Sequence, residues 1–175
     1  MNETLKVLEN RRSCRNFLDK TPSKEDIQAI VRAGTFAPSG MGKQPVKIIV
    51  VLNRETRAKI AAANAAVMGQ GKDFDPFYGA PVIIIAVADK SSGTYLYDGA
   101  LAIGNMLNAA ESLGLAGTWI HRAKEEFESD VGKEILRSLG IQGQIEGIGH
   151  IALGYPAEGG QKPAAPRAES VYWIE

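Results

Sequence analysis

The sequence predicts one domain built on a single mixed β-sheet with helices packed against it. Three observations carry that reading. The chain has 175 residues, enough for one domain with a sizeable core. Short β-branched runs alternate with longer segments of helical periodicity, and no internal repeat or linker interrupts them. One run, PVIIIAVA at 81–88, is apolar on both faces and therefore belongs in the middle of the sheet.

Residues 3–10 form a short helix with Leu5 and Leu8 on one side. The stretch RRSCRNF (11–17) follows it. The next helix opens at Ser23, an N-cap, with Asp26 where a capping box wants an acid. Ile27, Ile30, Val31 and Gly34 then repeat at helical spacing. TFAPSGMGKQP (35–45) is a loop, since its prolines, glycines and serine punctuate any regular element. VKIIVVL (46–52) is a strand, and 54–67 an alanine-rich helix with Arg57 on its wet face. Residues 68–80 read as an irregular connection, short for a lid. The segment 95–114 is the longest helix, about 30 Å at 1.5 Å per residue. It is apolar nearly all round, so it is expected to be buried, with its second covering surface supplied by another subunit. LAGTWI (115–120) is a third strand, 124–140 one amphipathic helix, and IEGIGHIALGYP (145–156) a fourth strand. The tail is too rich in Gly, Ala and Pro for a helix. It ends in VYWIE, a strand-like segment suited to a partner's sheet edge.

Composition narrows the function. Lys plus Arg is 20 and Asp plus Glu is 20, which speaks against a nucleic-acid or anionic-membrane binder. The single cysteine, Cys14, allows no intrachain disulfide and no cysteine metal site. Two distant histidines, His121 and His150, give no metal centre either. The start of the chain lacks a signal-peptide pattern, and the longest apolar run (80–88) is far short of the roughly 20 residues that span a bilayer. A cytoplasmic protein is the expectation.

Against that neutral background, RRSCRNF gathers Arg11, Arg12 and Arg15 around Ser13. A wet surface, a macromolecular anion and a phosphate are the candidate explanations. Guanidinium forks match phosphate oxygens two bonds at a time, and the Ser13 hydroxyl adds a donor. In an extended stretch Arg11, Ser13 and Arg15 share one face, while Arg12 and Cys14 share the other. The loop APSGMGKQP adds glycines that let backbone N–H groups approach a ligand. Ser39 and Gln44 supply polar edges, and the Gln44 amide both donates and accepts, which suits a heterocycle. No G-x-G-x-x-G signature marks a permanently bound dinucleotide.

These residues carry a resemblance. RRSCRNF resembles the N-terminal R-x-S-x-R/K-x-F signature of the FMN-dependent nitroreductase family, and APSGMGKQP its A/S-P-S-x-x-N-x-Q-P loop. DGALAIGNMLNAAESLGLAGTWI resembles that family's central helix and following strand, and GHIALGYPAE its closing segment. The resemblance implies an α+β fold: a mixed β-sheet flanked by helices, in an intertwined homodimer with an extended C-terminal arm. It implies FMN at the subunit interface, its phosphate held by Arg11 and Ser13, with Arg15 near the pyrimidine edge. Pro38, Ser39, Gly40 and Gln44 would approach from the other subunit. Gly42 stands where the family usually has Asn, so a side-chain amide contact is lost or replaced by backbone. Arg167 is the first candidate, and Lys162 the second, to complete the phosphate site. Trp119, Ile120 and His121 would offer backbone contacts, and an irregular backbone would bring in Arg12.

The implied reaction is ping-pong. A hydride passes from NAD(P)H through flavin N5 to a nitroaromatic, a quinone or a similar small acceptor, and no side chain serves as nucleophile. Cys14 is expected to face away from Ser13. His150 is expected to be a hydrogen-bonded core residue, and Tyr95, Tyr97 and Trp119 to be packing. The alternative function is an FMN carrier or sensor that does not turn over, or an electron-transfer partner of another protein.

Overall fold

The sheet has four strands: β1 (Val46–Val51), β2 (Val82–Asp89), β3 (Ala116–Ile120) and β4 (Ile145–Gly154), arranged in the order β1-β2-β4-β3. A computed structural model of the chain describes residues 1–71, 73–162 and 171–175. All three strand pairings are antiparallel. The parallel member of the sheet is a short bridge outside the named strands, Ser13 with Gly117.

β2 is central, as its composition requires, and its two-residue period divides the core. Val82, Ile84, Ala86 and Ala88 enter one hydrophobic cluster, and Ile83, Ile85 and Val87 enter the other. Each fully buried isoleucine contributes about 1.5–3 kcal/mol. The first cluster lies under α2 (Lys24–Thr35) and α4 (Tyr95–Ser112); the second lies under α3 (Arg54–Val67) and α5 (Ala123–Glu128). α1 (Glu3–Asn10) packs beside α4. Among the described residues, no helix is long and apolar enough to cross a membrane.

Local chemistry sets the boundaries. Ser23 Oγ accepts the Asp26 N–H at 3.0 Å and donates to Asp26 Oδ2 at 2.7 Å, so the expected cap is formed. Gly34 allows α2 and α4 to touch, because a Cβ there would lie 2.7 Å from Met106 Cγ.

One expectation about the helices is corrected. The segment 124–140 is two helices, α5 and α6 (Asp130–Ser138), joined at the extended Ser129. Gly132 folds so closely onto α5 that a Cβ would lie 2.3 Å from Phe127 Cα, which a straight helix would not permit. Within the protomer the central helix is buried on one face, and its other face is open. Leu96, Tyr97 and Leu101 are 48%, 72% and 48% exposed. Within the protomer, residues 171–175 form no strand and are exposed.

Arg57 is also not on a wet face. Its Nε donates to Ala80 O at 2.7 Å and its Nη2 to Asp75 at 2.7 Å. Asp75 further accepts the Phe77 and Gly79 N–H groups, so one carboxylate organises the approach to β2. Burial raises the Asp75 carboxyl, but the Arg57 and backbone hydrogen bonds outweigh it and leave its pKa below the usual range. Because folding lowers this pKa, the carboxylate's contribution is complete above the ordinary Asp range and is lost as pH falls through the folded value. Asp75→Asn is expected to melt below wild type at neutral pH, with the gap closing in acid. Melts that differ equally at both pH values would contradict this.

Candidate functional site

The arginine stretch lies along the outer side of β3. Ser13 bridges Gly117, and the Cys14 N–H reaches Gly117 O at 3.3 Å. Cys14 and Phe17 are buried in the core and pin the segment. Burial pushes the Cys14 thiol above its ordinary pKa, which keeps it protonated and inert. The chain beyond β4 returns alongside. Arg15 N–H donates to Gly160 O at 2.9 Å, Ala157 N–H to Asn16 O at 2.9 Å, and Gln161 Nε2 to Arg12 O at 3.3 Å. Lys162 follows Gln161 in sequence and is exposed. Arg167 lies outside the described residues.

Arg12 is committed elsewhere. Its guanidinium donates to Glu9 O at 2.7 Å and to Arg11 O, so it caps the carbonyl end of α1. Among the described residues, no carboxylate lies within 4.0 Å of a charged nitrogen of Arg11, Arg12 or Arg15. In a chain with as many acids as bases, three neighbouring cations without an acid form a site that fits an anion.

The loop between α2 and β1 is at the other end of the sheet order. It contains one turn of 3₁₀ helix (Gly40–Gly42). Met41, Gly42 and Gln44 have φ of 53°, 66° and 45°, in the left-handed region. Ser39 Oγ accepts the Gln44 N–H at 2.9 Å and closes the turn. Pro38, Ser39 and Gln44 line a cavity of about 200 Å³ with Thr35, Asp98 and Ala102. Gly40 and Gly42 belong to the same turn. Asp98 in the first turn of α4 accepts the Gly40 N–H at 3.0 Å and the Thr94 hydroxyl at 2.8 Å.

The end of β3 is fixed from beneath. His150 and Glu126 are both fully buried, with His150 Nε2 3.1 Å from Glu126 Oε1. His150 Nδ1 donates to Ile120 O at 3.3 Å, since a carbonyl can only accept. Asn64 Nδ2 donates to His121 O at 2.9 Å and to Glu126 Oε2 at 3.3 Å. Arg122, left-handed at φ 77°, donates from Nε to Asn64 Oδ1 at 3.2 Å. Ile120 is buried and its carbonyl faces His150, the His121 carbonyl accepts from Asn64, and the His121 side chain is exposed. Trp119 is half-buried and lies over Gly149, where a Cβ would come within 2.7 Å of the indole.

The family model described as "Nitroreductase family" matches residues 8–155. The chain belongs to the nitroreductase family. It is 33% identical over 163 residues to an Archaeoglobus fulgidus protein provisionally named NADH dehydrogenase/NAD(P)H nitroreductase, covering 90% of this chain and 88% of the relative. It is 26% identical over 190 residues to the FMN reductase [NAD(P)H] of Bacillus subtilis, covering 95% and 72%. The crystal structure of a Bacteroides fragilis nitroreductase with bound FMN superposes with a TM-score of 0.89 at 31% identity, covering 100% of both chains.

Two groups of predicted residues are thus each brought together, and they are kept apart within one protomer. In this nitroreductase Arg11, Ser13 and Arg15 lie at the β3 edge. Pro38, Ser39, Gly40, Gly42 and Gln44 gather before β1, the opposite edge. Three strand spacings, about 14 Å, separate the two edges. Tyr95 packs, with its hydroxyl on Glu146 at 3.0 Å, but Tyr97 stands open. Sequence reasoning missed Asp98 and Thr94. Their only signal was one acid in the first turn of an otherwise apolar helix.

Proposed function

We propose that this nitroreductase is an NAD(P)H-dependent FMN oxidoreductase that works as a homodimer. The observation that carries the reading is the group of uncompensated cations around Ser13, on the sheet edge opposite the Ser39–Gln44 turn. A second protomer whose loop meets the first protomer's arginines would complete the site. The open apolar face of α4, with Leu96, Tyr97 and Leu101, supports that pairing. So does the naming of relatives as FMN reductase and as FMN-bound nitroreductase.

Arg11 and Ser13 would hold the FMN phosphate, with Lys162 adding charge. Arg15 would place a permanent cation beside the pyrimidine edge of the ring, favouring its electron-rich form by about 1.5–3 kcal/mol. Ser39 and Gln44 of the adjoining protomer would supply polar edges, and the cavity beside them would admit a small acceptor, a nitroaromatic or a quinone. FMN, when bound, supplies the N5 position that takes a hydride from NAD(P)H and gives it to the acceptor in a ping-pong exchange. The side chains bind and orient; none need act as nucleophile. Rapid mixing of the FMN-loaded protein with NADH and with NADPH tests this. Bleaching within seconds by either donor is the expected result. No bleaching by either would favour a carrier or sensor instead.

A further inference from the structure

Asp98 is a buried acidic side chain with no cation beside it. Its carboxylate is 3% exposed, and among the described residues no Lys, Arg or His nitrogen lies within 4.0 Å. Burying an ionised carboxylate is costly unless its oxygens are satisfied. Both are: Oδ1 accepts the Gly40 N–H at 3.0 Å, and Oδ2 the Thr94 hydroxyl at 2.8 Å.

What this carboxylate holds is a turn that packing does not hold. Met41 is 87% exposed, and Gly42, Lys43 and Gln44 are exposed as well. Two of these residues, Met41 and Gln44, are left-handed without being glycine, a conformation that persists only where the surroundings impose it. The turn rests directly on α4. A Cβ at Gly40 would lie 2.2 Å from Thr94 Oγ1, so only glycine lets the backbone reach Asp98. The turn is closed by its own hydrogen bonds, but its attachment to α4 comes from a residue 58 positions away in sequence.

We propose that Asp98 is the positioning residue of the loop 38–44. It clamps the turn to α4 through Gly40, so that Ser39 and Gln44 present their polar edges to the flavin of the adjoining protomer. The flavin half rests on the FMN reading above; the hold on the loop does not.

Two readouts on purified apo-protein separate these halves. Lys43 is exposed, so tryptic cleavage after it reports how firmly the turn is held; cleavage after the exposed Arg54 is the internal reference. FMN affinity is read by fluorescence titration. Asp98→Ala is expected to raise Lys43 cleavage relative to Arg54, and to weaken FMN binding, by about 10-fold or more. Asp98→Asn is expected to keep both within about threefold of wild type, since its amide oxygen can still accept from Gly40 and its NH₂ can donate to Thr94. A merely structural role would lower the melting temperature without singling out Lys43. Should Asp98→Ala fail to fold, Gly40→Ala lifts the turn off Thr94 without removing the carboxylate, and the same signature is expected.

Unchanged relative cleavage at Lys43 in Asp98→Ala, or in Gly40→Ala where the first does not fold, would overturn the proposal. So would an Asp98→Asn as impaired as Asp98→Ala. A loosened turn with wild-type FMN affinity would overturn the flavin role alone. A wild type that binds no FMN would sink the FMN reading, while the cleavage ratio still decides whether Asp98 holds the loop.

Discussion

Arg11→Ala weakens FMN binding by about 10- to 100-fold, the loss expected when a charge-assisted contact worth about 1.5–3 kcal/mol is removed. Arg11 stands in a group of three cations with no carboxylate within 4.0 Å among the described residues, so its truncation breaks no ion pair there. Fluorescence titration of the apo-protein reads the change. Arg54→Ala is the matched control, since the Arg54 side chain is 93% exposed and its nearest acid, Asp19, is 3.9 Å away. Arg57 is unsuitable as a control, because it fastens the segment before β2. Equal affinity in the Arg11 and Arg54 variants would contradict the phosphate assignment.

Glu126→Ala destabilises the protein by about 3–5 kcal/mol, the usual result of removing one partner of a buried pair. The carboxylate is fully buried and faces both His150 Nε2 and the Asn64 amide. Alanine leaves His150 Nε2 without its partner, removes one of the two acceptors of the Asn64 amide, and opens a cavity between α5 and β4. For a chain of this size the melting temperature is expected to fall by about 6–20 °C. Glu126→Gln, which keeps the volume and an amide oxygen for the Asn64 NH₂, is expected to lose less. Urea and thermal melts measure the difference. An alanine variant as stable as the glutamine variant would show that the pair does not hold the end of β3.

The core was legible in the sequence for a physical reason. An apolar run such as VIIIAVA has nowhere to go but the middle of a sheet covered on both faces. The Ser23 cap was legible because it is chemistry between residues three apart. What escaped depends on partners far away in the chain. Arg57 looked wet because its acid lies 18 residues on and its carbonyl 23. Asp98 was missed, because its partner is a glycine N–H on another element. Arg12 was placed by strand alternation, but the free carbonyls at the end of α1 recruit it instead. The break at Ser129 has no local breaker residue; it follows from Gly132 seating on Phe127. The candidate site was legible as two motifs. Their placement on opposite sheet edges was not, because strand order is a tertiary fact.

Sedimentation of the protein after incubation with excess FMN, followed at the protein and flavin absorbance bands together, tests the central claim most directly. One flavin per chain, moving with a dimer, is the predicted result. A protein boundary that carries no flavin absorbance would contradict it.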